Sequence, residues 1–141
     1  MVKISRYLYL VAAWLFVAGV VMQVFLVGMV VVARQVGWDD HVGLGHTLAM
    51  PLLVMLLSMY FGRLPKQMKW LTWLLFGVYI MQADVVIFLR VQLPIISALH
   101  PVLALADFAL GLVLAWRAWP LTRQGQALAG VLPQLETVPE G

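Results

Sequence analysis

The sequence predicts an all-α membrane protein, a four-transmembrane-helix bundle with its N- and C-termini in the cytoplasm. Hydrophobic residues make up 64% of the 141 positions and charged residues only 11%, whereas soluble domains are about 45–50% apolar and about 25% charged. The apolar residues form four long runs, and a helix needs only about 20 such residues to cross a bilayer. Four spans leave little of the chain for an extramembrane domain.

The first two spans are bounded by charges and helix breakers. The first is predicted over residues 7–33, behind Lys3 and Arg6. It is longer than the apolar core of about 7–15 residues in a cleavable signal peptide, so we expect a retained helix. The second follows the polar turn 34–40, covers residues 41–61 and stops before the breakers Gly62 and Pro65.

The third span is predicted over residues 70–89 and the fourth over residues 98–119, where Pro120 is expected to end the helix. Residues 1–120 then form the transmembrane domain. Residues 121–141 are too short and too mixed in polarity for another span. We expect them to form a mobile cytoplasmic tail.

Basic residues set the orientation. One side of the predicted spans carries Lys3, Arg6, Arg63, Lys66, Lys69, Arg117 and Arg123, and the other carries Arg34 and Arg90. Cytoplasmic loops carry the excess of Lys and Arg, so the larger group is placed in the cytoplasm. Basic residues at span ends are typical of membrane topology rather than of nucleic-acid binding. The expected partners are therefore the lipid bilayer and other membrane protein subunits, with no nucleic acid.

The sequence also limits the chemistry. Cysteine is absent, which excludes disulfides, thiolate metal sites and thiol catalysis. Outside the predicted spans we find no Gly-rich phosphate loop and no serine nucleophile with a nearby base. An electron-transfer or accessory role is therefore expected rather than independent catalysis.

Polar residues inside the spans are costly to bury and therefore informative. They are Gln23, His41, His46, Gln82, Asp84, His100 and Asp107. His41 opens the second span and His100 opens the fourth, and both spans run in the same direction. Their rings should lie at matched depth near the outer face, as two axial ligands of six-coordinate haem iron must. The predicted metal ligands are His41 and His100, and the predicted cofactor is haem b.

Neighbouring residues complete the predicted cofactor site. Gly45 lies one turn below His41 and is expected to leave room for a flat macrocycle, which Gln23 and Gln82 would flank. His46 lies about 140° around the helix from His41, so the two cannot bind one iron atom. We expect His46 to be a satisfied interior residue or a neighbour of a haem propionate.

Other interpretations stay open. Histidines at span ends often simply lie in the interface, and a different metal or a quinone would also suit this pair. The eight methionines suggest copper, although filling space is their commoner role. Asp84 and Asp107 are either neutral or paired with Arg90 or Arg34, or they form a proton path or hold a cation.

Short motifs also resemble a known family. They are Gln23-x-Phe25-Leu26-x-Gly28, Asp40-His41-x-x-Leu44-Gly45, Gln82, and Leu99-His100-Pro101-Val102. Over roughly residues 5–119 the chain resembles a family of small bacterial four-helix membrane proteins of uncharacterised function. The resemblance implies a compact four-helix unit with His41 and His100 as its family histidines. His46 stands where this family would have a different residue.

The outline is also similar to four-helix membrane cytochromes b, which hold haem between histidines of different helices. The leading hypothesis is a small haem b-binding protein, or a cytochrome-like subunit of a membrane electron-transfer complex, in the bacterial inner membrane. A quinone or another redox partner would exchange electrons with it. The alternative is a cofactor-free accessory or structural subunit that packs against a larger membrane complex.

Overall fold

A computed structural model describes residues 1–89 and 91–135, with residues 124–135 described by their backbone alone. The helices are α1 (Val2–Gly28), α2 (Trp38–Thr47), α3 (Ala49–Phe61), α4 (Lys66–Ile80), α5 (Val86–Leu89) and α6 (Leu99–Leu135). Two π-helical turns, Met29–Ala33 and Met81–Val85, follow α1 and α4, and a 3-10 turn, Pro94–Ala98, precedes α6.

Within the described residues, four helical segments are long and apolar enough to cross a membrane. They are Val2–Ala33, Trp38–Phe61, Lys66–Leu89 and Pro94–Arg123, called the first to fourth spans below. The prediction of an all-α protein with four such spans is confirmed. The second span starts earlier than predicted, because Asp39 and Asp40 lie in the first turn of α2, where the helix dipole favours acidic side chains.

The last helix differs from the prediction. Helix α6 continues through Pro120 to Leu135, so the prediction that Pro120 ends it is wrong. A proline removes a single backbone hydrogen bond, and apolar spans tolerate it where neighbouring groups compensate. The carbonyl that loses its partner is that of Trp116, four residues before Pro120. The nearby Thr122 hydroxyl donates instead to the Trp119 carbonyl oxygen, at 2.7 Å. Residues 136–141 of the predicted tail lie outside the described residues.

The core forms around α1, which packs against both α3 and α6. The largest fully buried apolar side chains of the core are Tyr9, Phe16, Leu52, Met55, Met59, Leu75 and Leu114. Gly111 lets α6 approach α1 closely, since a Cβ atom there would lie 3.1 Å from the Val17 side chain and 3.2 Å from that of Phe16. Small residues serve this purpose where apolar helices pack in membranes.

One end of the bundle is held together by Arg6. Its Nε donates to the Gly62 carbonyl oxygen and its Nη1 to the Leu121 carbonyl oxygen, each at 3.1 Å. These bonds join the start of the first span, the turn after the second and the end of the fourth. We call this the basic end, and we call the opposite end, with His41 and His100, the histidine end.

Candidate functional site

The two histidines predicted as a pair lie face to edge at the histidine end. His41 belongs to the first turn of α2, and His100 is the second residue of α6. Their ring centroids are 6.0 Å apart and their planes are inclined by 63°. The structure therefore brings together one imidazole from the second span and one from the fourth.

The hydrogen bond of His100 leaves one ring nitrogen free. Its Nδ1 lies 3.2 Å from the backbone carbonyl oxygen of Gln82. A carbonyl oxygen can only accept, so Nδ1 carries the hydrogen and donates it. In the neutral ring Nε2 then keeps a lone pair. This nitrogen is able to bind a metal or accept a hydrogen bond.

His41 is held through its backbone and its ring edge. The Gln23 Nε2 donates to the His41 carbonyl oxygen at 3.0 Å, which ties the first span to the start of the second. The His41 ring lies edge-on to the Trp38 ring, with centroids 5.8 Å apart. Its Nδ1 is buried and makes no hydrogen bond. The His41 ring is thus held in position without a hydrogen bond to its Nδ1.

The space beside Gly45 is filled by the Gln23 amide. A Cβ atom at Gly45 would lie only 2.9 Å from the Gln23 Nε2. The Tyr79 hydroxyl donates to the Gly45 carbonyl oxygen at 2.9 Å. The space left by Gly45, which was expected to admit a macrocycle, holds the Gln23 amide. Through these contacts the first, second and third spans meet at Gly45.

Several polar atoms near this end have no hydrogen-bond partner. Among the described residues, the buried side-chain atoms without one are Gln23 Oε1, His41 Nδ1, Gln82 Oε1 and both carboxyl oxygens of Asp107. Apart from the imidazole nitrogen they are all acceptors. A buried group left unsatisfied costs about 1–3 kcal/mol. A ligand that supplies a hydrogen-bond donor or a positive charge would satisfy them.

Two other predicted polar residues, His46 and Asp84, have exposed side chains. His46 is exposed, and its Nδ1 lies 2.9 Å from the Val42 carbonyl oxygen of its own helix. Asp84, in the second π-helical turn, is also exposed, whereas Asp107 is fully buried. The structure therefore does not bring His46 to the histidine pair. Over the described residues, no group of three or more His, Cys, Asp or Glu side chains could hold a metal ion.

Two residues of the site carry signals that sequence reasoning missed. Tyr79 lies three positions before Gln82, and residues at this spacing share a helix face. Trp38 lies three positions before His41 in the same way. A search for polar and aromatic side chains at helical spacing from the intramembrane residues would have found both.

The central part of the chain is similar to one protein family. Residues 23–88, just under half of the chain, match the model of a family of unknown function, DUF6220. The match begins at Gln23 and includes His41, Gly45 and Gln82, while His100 lies beyond it. No curated protein and no solved structure matches the chain. The match agrees with the resemblance to an uncharacterised family.

Proposed function

We propose that His41 and His100 bind haem b and that the protein transfers electrons within the membrane, alone or as the cytochrome-like subunit of a larger complex. The facing of the two rings, with centroids 6.0 Å apart, carries this proposal. Imidazole nitrogens bind first-row metals at about 2.0–2.1 Å, so rings on opposite sides of one ion have centroids about 6 Å apart once the ring radius is added. The observed centroid separation matches this length, and the rings, which now meet face to edge, would turn so that a nitrogen of each faces the ion.

The surrounding residues also fit the cofactor. Metal-binding histidines almost always donate their second ring N–H to a carbonyl or carboxylate oxygen, and His100 donates to the Gln82 carbonyl oxygen. The unpaired His41 Nδ1 would be available to the iron, whereas haem carries no N–H or O–H donor for the unpaired Oε1 atoms of Gln23 and Gln82. Gln23 would have to move, because its amide fills the space beside Gly45.

Each group has its own part in this function. When bound, haem would supply an iron atom that gains and loses one electron. His41 and His100 would hold this group, and the Gln23 bond to the His41 carbonyl oxygen fixes the turn that carries His41. Both rings are half-buried at the histidine end, so the site would be partly open to water. A quinone or another membrane redox protein would be the electron partner.

We further place the basic end in the cytoplasm and the histidine end at the outer face of a bacterial inner membrane. The Arg6 hydrogen bonds support this orientation, since they gather the segments that carry most of the basic residues at one end. The excess of Lys and Arg marks the cytoplasmic side. Electron transfer would then take place near the outer surface.

The test is the visible absorption spectrum of the protein purified from cells supplied with haem. We expect a Soret band that sharpens on reduction with dithionite. His41→Ala and His100→Ala should each abolish it. His46→Ala is the matched control, and it should keep the band because His46 is exposed. A wild-type protein without visible absorption, or loss of the band in His46→Ala alone, contradicts the proposal.

A cofactor-free accessory subunit is the second candidate. Large apolar side chains on the outer surface, such as Trp116 (76% exposed) and Phe88 (75% exposed), would then pack against another membrane protein in place of lipid. The same spectrum separates the two functions, because an accessory subunit has no visible absorption. Its function would reside in its contacts.

A further inference from the structure

Asp107 is a buried carboxyl group without a partner in the middle of the fourth span. Its side chain is 0% exposed, and both of its oxygens lack a hydrogen bond. It lies seven residues from His100, which places it on nearly the same face of α6 and about 10 Å closer to the basic end. The Asp107 carboxyl group therefore lies inside the bundle, between the histidine pair and the basic end.

A buried carboxyl group without a partner is either neutral, with a proton on one oxygen, or balanced by a bound cation. Ionisable groups inside a membrane are rare, costly and typical of proton or ion pathways. A metal cation such as Ca²⁺ requires about 6–8 oxygen ligands, whereas a proton requires one oxygen. One turn further along α6, Gly111 packs against the apolar side chains of Phe16 and Val17. These surroundings suit a proton.

Most buried apolar side chains lie on one side of Asp107, and the unpaired polar groups lie on the other. Towards the histidine end lie Gln23, Gln82 and Tyr79, each with a hydrogen bond or an unpaired oxygen in the site. Towards the basic end, Phe16, Leu75 and Leu114 are fully buried. A proton would therefore reach Asp107 from the histidine end.

Few other titratable groups lie on the elements packed around Asp107. The third span carries Tyr79, whose hydroxyl already donates to the Gly45 carbonyl oxygen, and Asp84, which is exposed. The second span carries His41 and α6 itself carries His100. The first span has no titratable residue between Tyr9 and Arg34. Asp107 is thus the one fully buried carboxyl group among the residues whose side chains the structure describes.

We propose that Asp107 binds a proton when the group held by His41 and His100 gains an electron, an inference that rests on the proposed function. One electron, supplied by a one-electron donor, would lower the charge of the group held by His41 and His100 by one. One proton from water at the histidine end forms an O–H bond with the Asp107 carboxylate, so the total charge inside the bundle is unchanged. Oxidation releases both.

The test is the midpoint potential of the haem-loaded full chain measured as a function of pH. Because the reduced protein holds one more proton, raising the pH disfavours reduction. The midpoint potential should fall by up to 59 mV per pH unit, which corresponds to a tenfold change in the equilibrium constant of a one-electron couple. Asp107→Asn should remove this slope. Asp84→Asn is the matched control and should keep it, since Asp84 is exposed.

A second measurement on the wild-type protein does not depend on a variant. The infrared difference between reduced and oxidised protein should contain a carboxylic acid C=O band that shifts in D₂O. A flat potential in the wild type, a slope retained in Asp107→Asn, or no such band overturns the role of Asp107. If haem binds and the potential is flat, only this inference fails. If no haem binds, the proposed function fails with it.

Discussion

The two halves of the bundle treat their buried polar groups differently. In the basic half, the Thr72 hydroxyl donates to the Met68 carbonyl oxygen at 2.8 Å, so its oxygen accepts from the Tyr9 hydroxyl at 2.6 Å. Both hydroxyls are satisfied within the protein. Towards the histidine end, Gln23, His41 and Gln82 each keep an unpaired buried atom.

The two halves therefore differ in whether their buried polar groups are hydrogen-bonded within the protein. Buried polar groups in folded proteins are nearly always hydrogen-bonded, and each exception calls for an explanation. The basic half meets this requirement by itself, together with a fully buried apolar core. The histidine end does not, which is the pattern expected of a site completed by a ligand.

The largest expected effect tests whether the basic half holds the bundle together. Phe16→Ala removes a fully buried ring that packs edge-on against Tyr79, with centroids 6.3 Å apart. It should lower the free energy of unfolding by about 3–5 kcal/mol, as measured by SDS titration in mixed micelles. Phe25→Ala, on the same helix but 57% exposed, should change it by less than about 0.5 kcal/mol. Equal losses in both variants would contradict the contrast.

A smaller effect of opposite sign is expected at the histidine end. Gln82→Leu removes the buried, unpaired Oε1 and should raise the free energy of unfolding of the haem-free protein by about 1 kcal/mol. Gln92→Leu is the matched control, since Gln92 is exposed in the turn before the fourth span. A destabilised Gln82→Leu protein would show that the amide contributes to folding even without a ligand.

The smallest expected effect is the loss of one satisfied hydrogen bond in the basic half. Tyr9→Phe removes the hydroxyl that donates to Thr72, while Thr72 keeps its bond to the Met68 carbonyl oxygen. Side-chain hydrogen bonds between membrane helices contribute about 0.6 kcal/mol on average, so the same titration should show a loss of this size. Tyr7→Phe, at an exposed position, should show none. A loss as large as that of Phe16→Ala would mean that polar contacts dominate the basic half.

Sequence and structure agree where apolar pattern decides the outcome. The lengths of the apolar runs predict four spans, and the structure has them. His41 and His100 open two spans of the same direction, which predicts rings at one depth, and their centroids lie 6.0 Å apart. Their role as haem ligands stays a prediction.

Features that depend on a single atom or a single residue could not be predicted from the sequence. The bond from Gln23 ends on a backbone carbonyl oxygen, which any residue at position 41 would offer. The π-helical turns at Met29–Ala33 and Met81–Val85 add one residue to a helical turn without a change of composition. Pro120 is a breaker by its chemistry, yet α6 continues through it, and apolar spans tolerate proline where surrounding groups satisfy the freed backbone.

The two bonds of Arg6 also bear on the order in which the molecule is assembled. Its acceptors lie 56 and 115 positions further along the chain, so a growing polypeptide supplies the first long before the second. The guanidinium therefore makes only its first bond until residue 121 has been synthesised and the fourth span has been inserted. A chain interrupted before residue 121 would lack the second bond, so this end of the bundle forms only after the fourth span packs against the first.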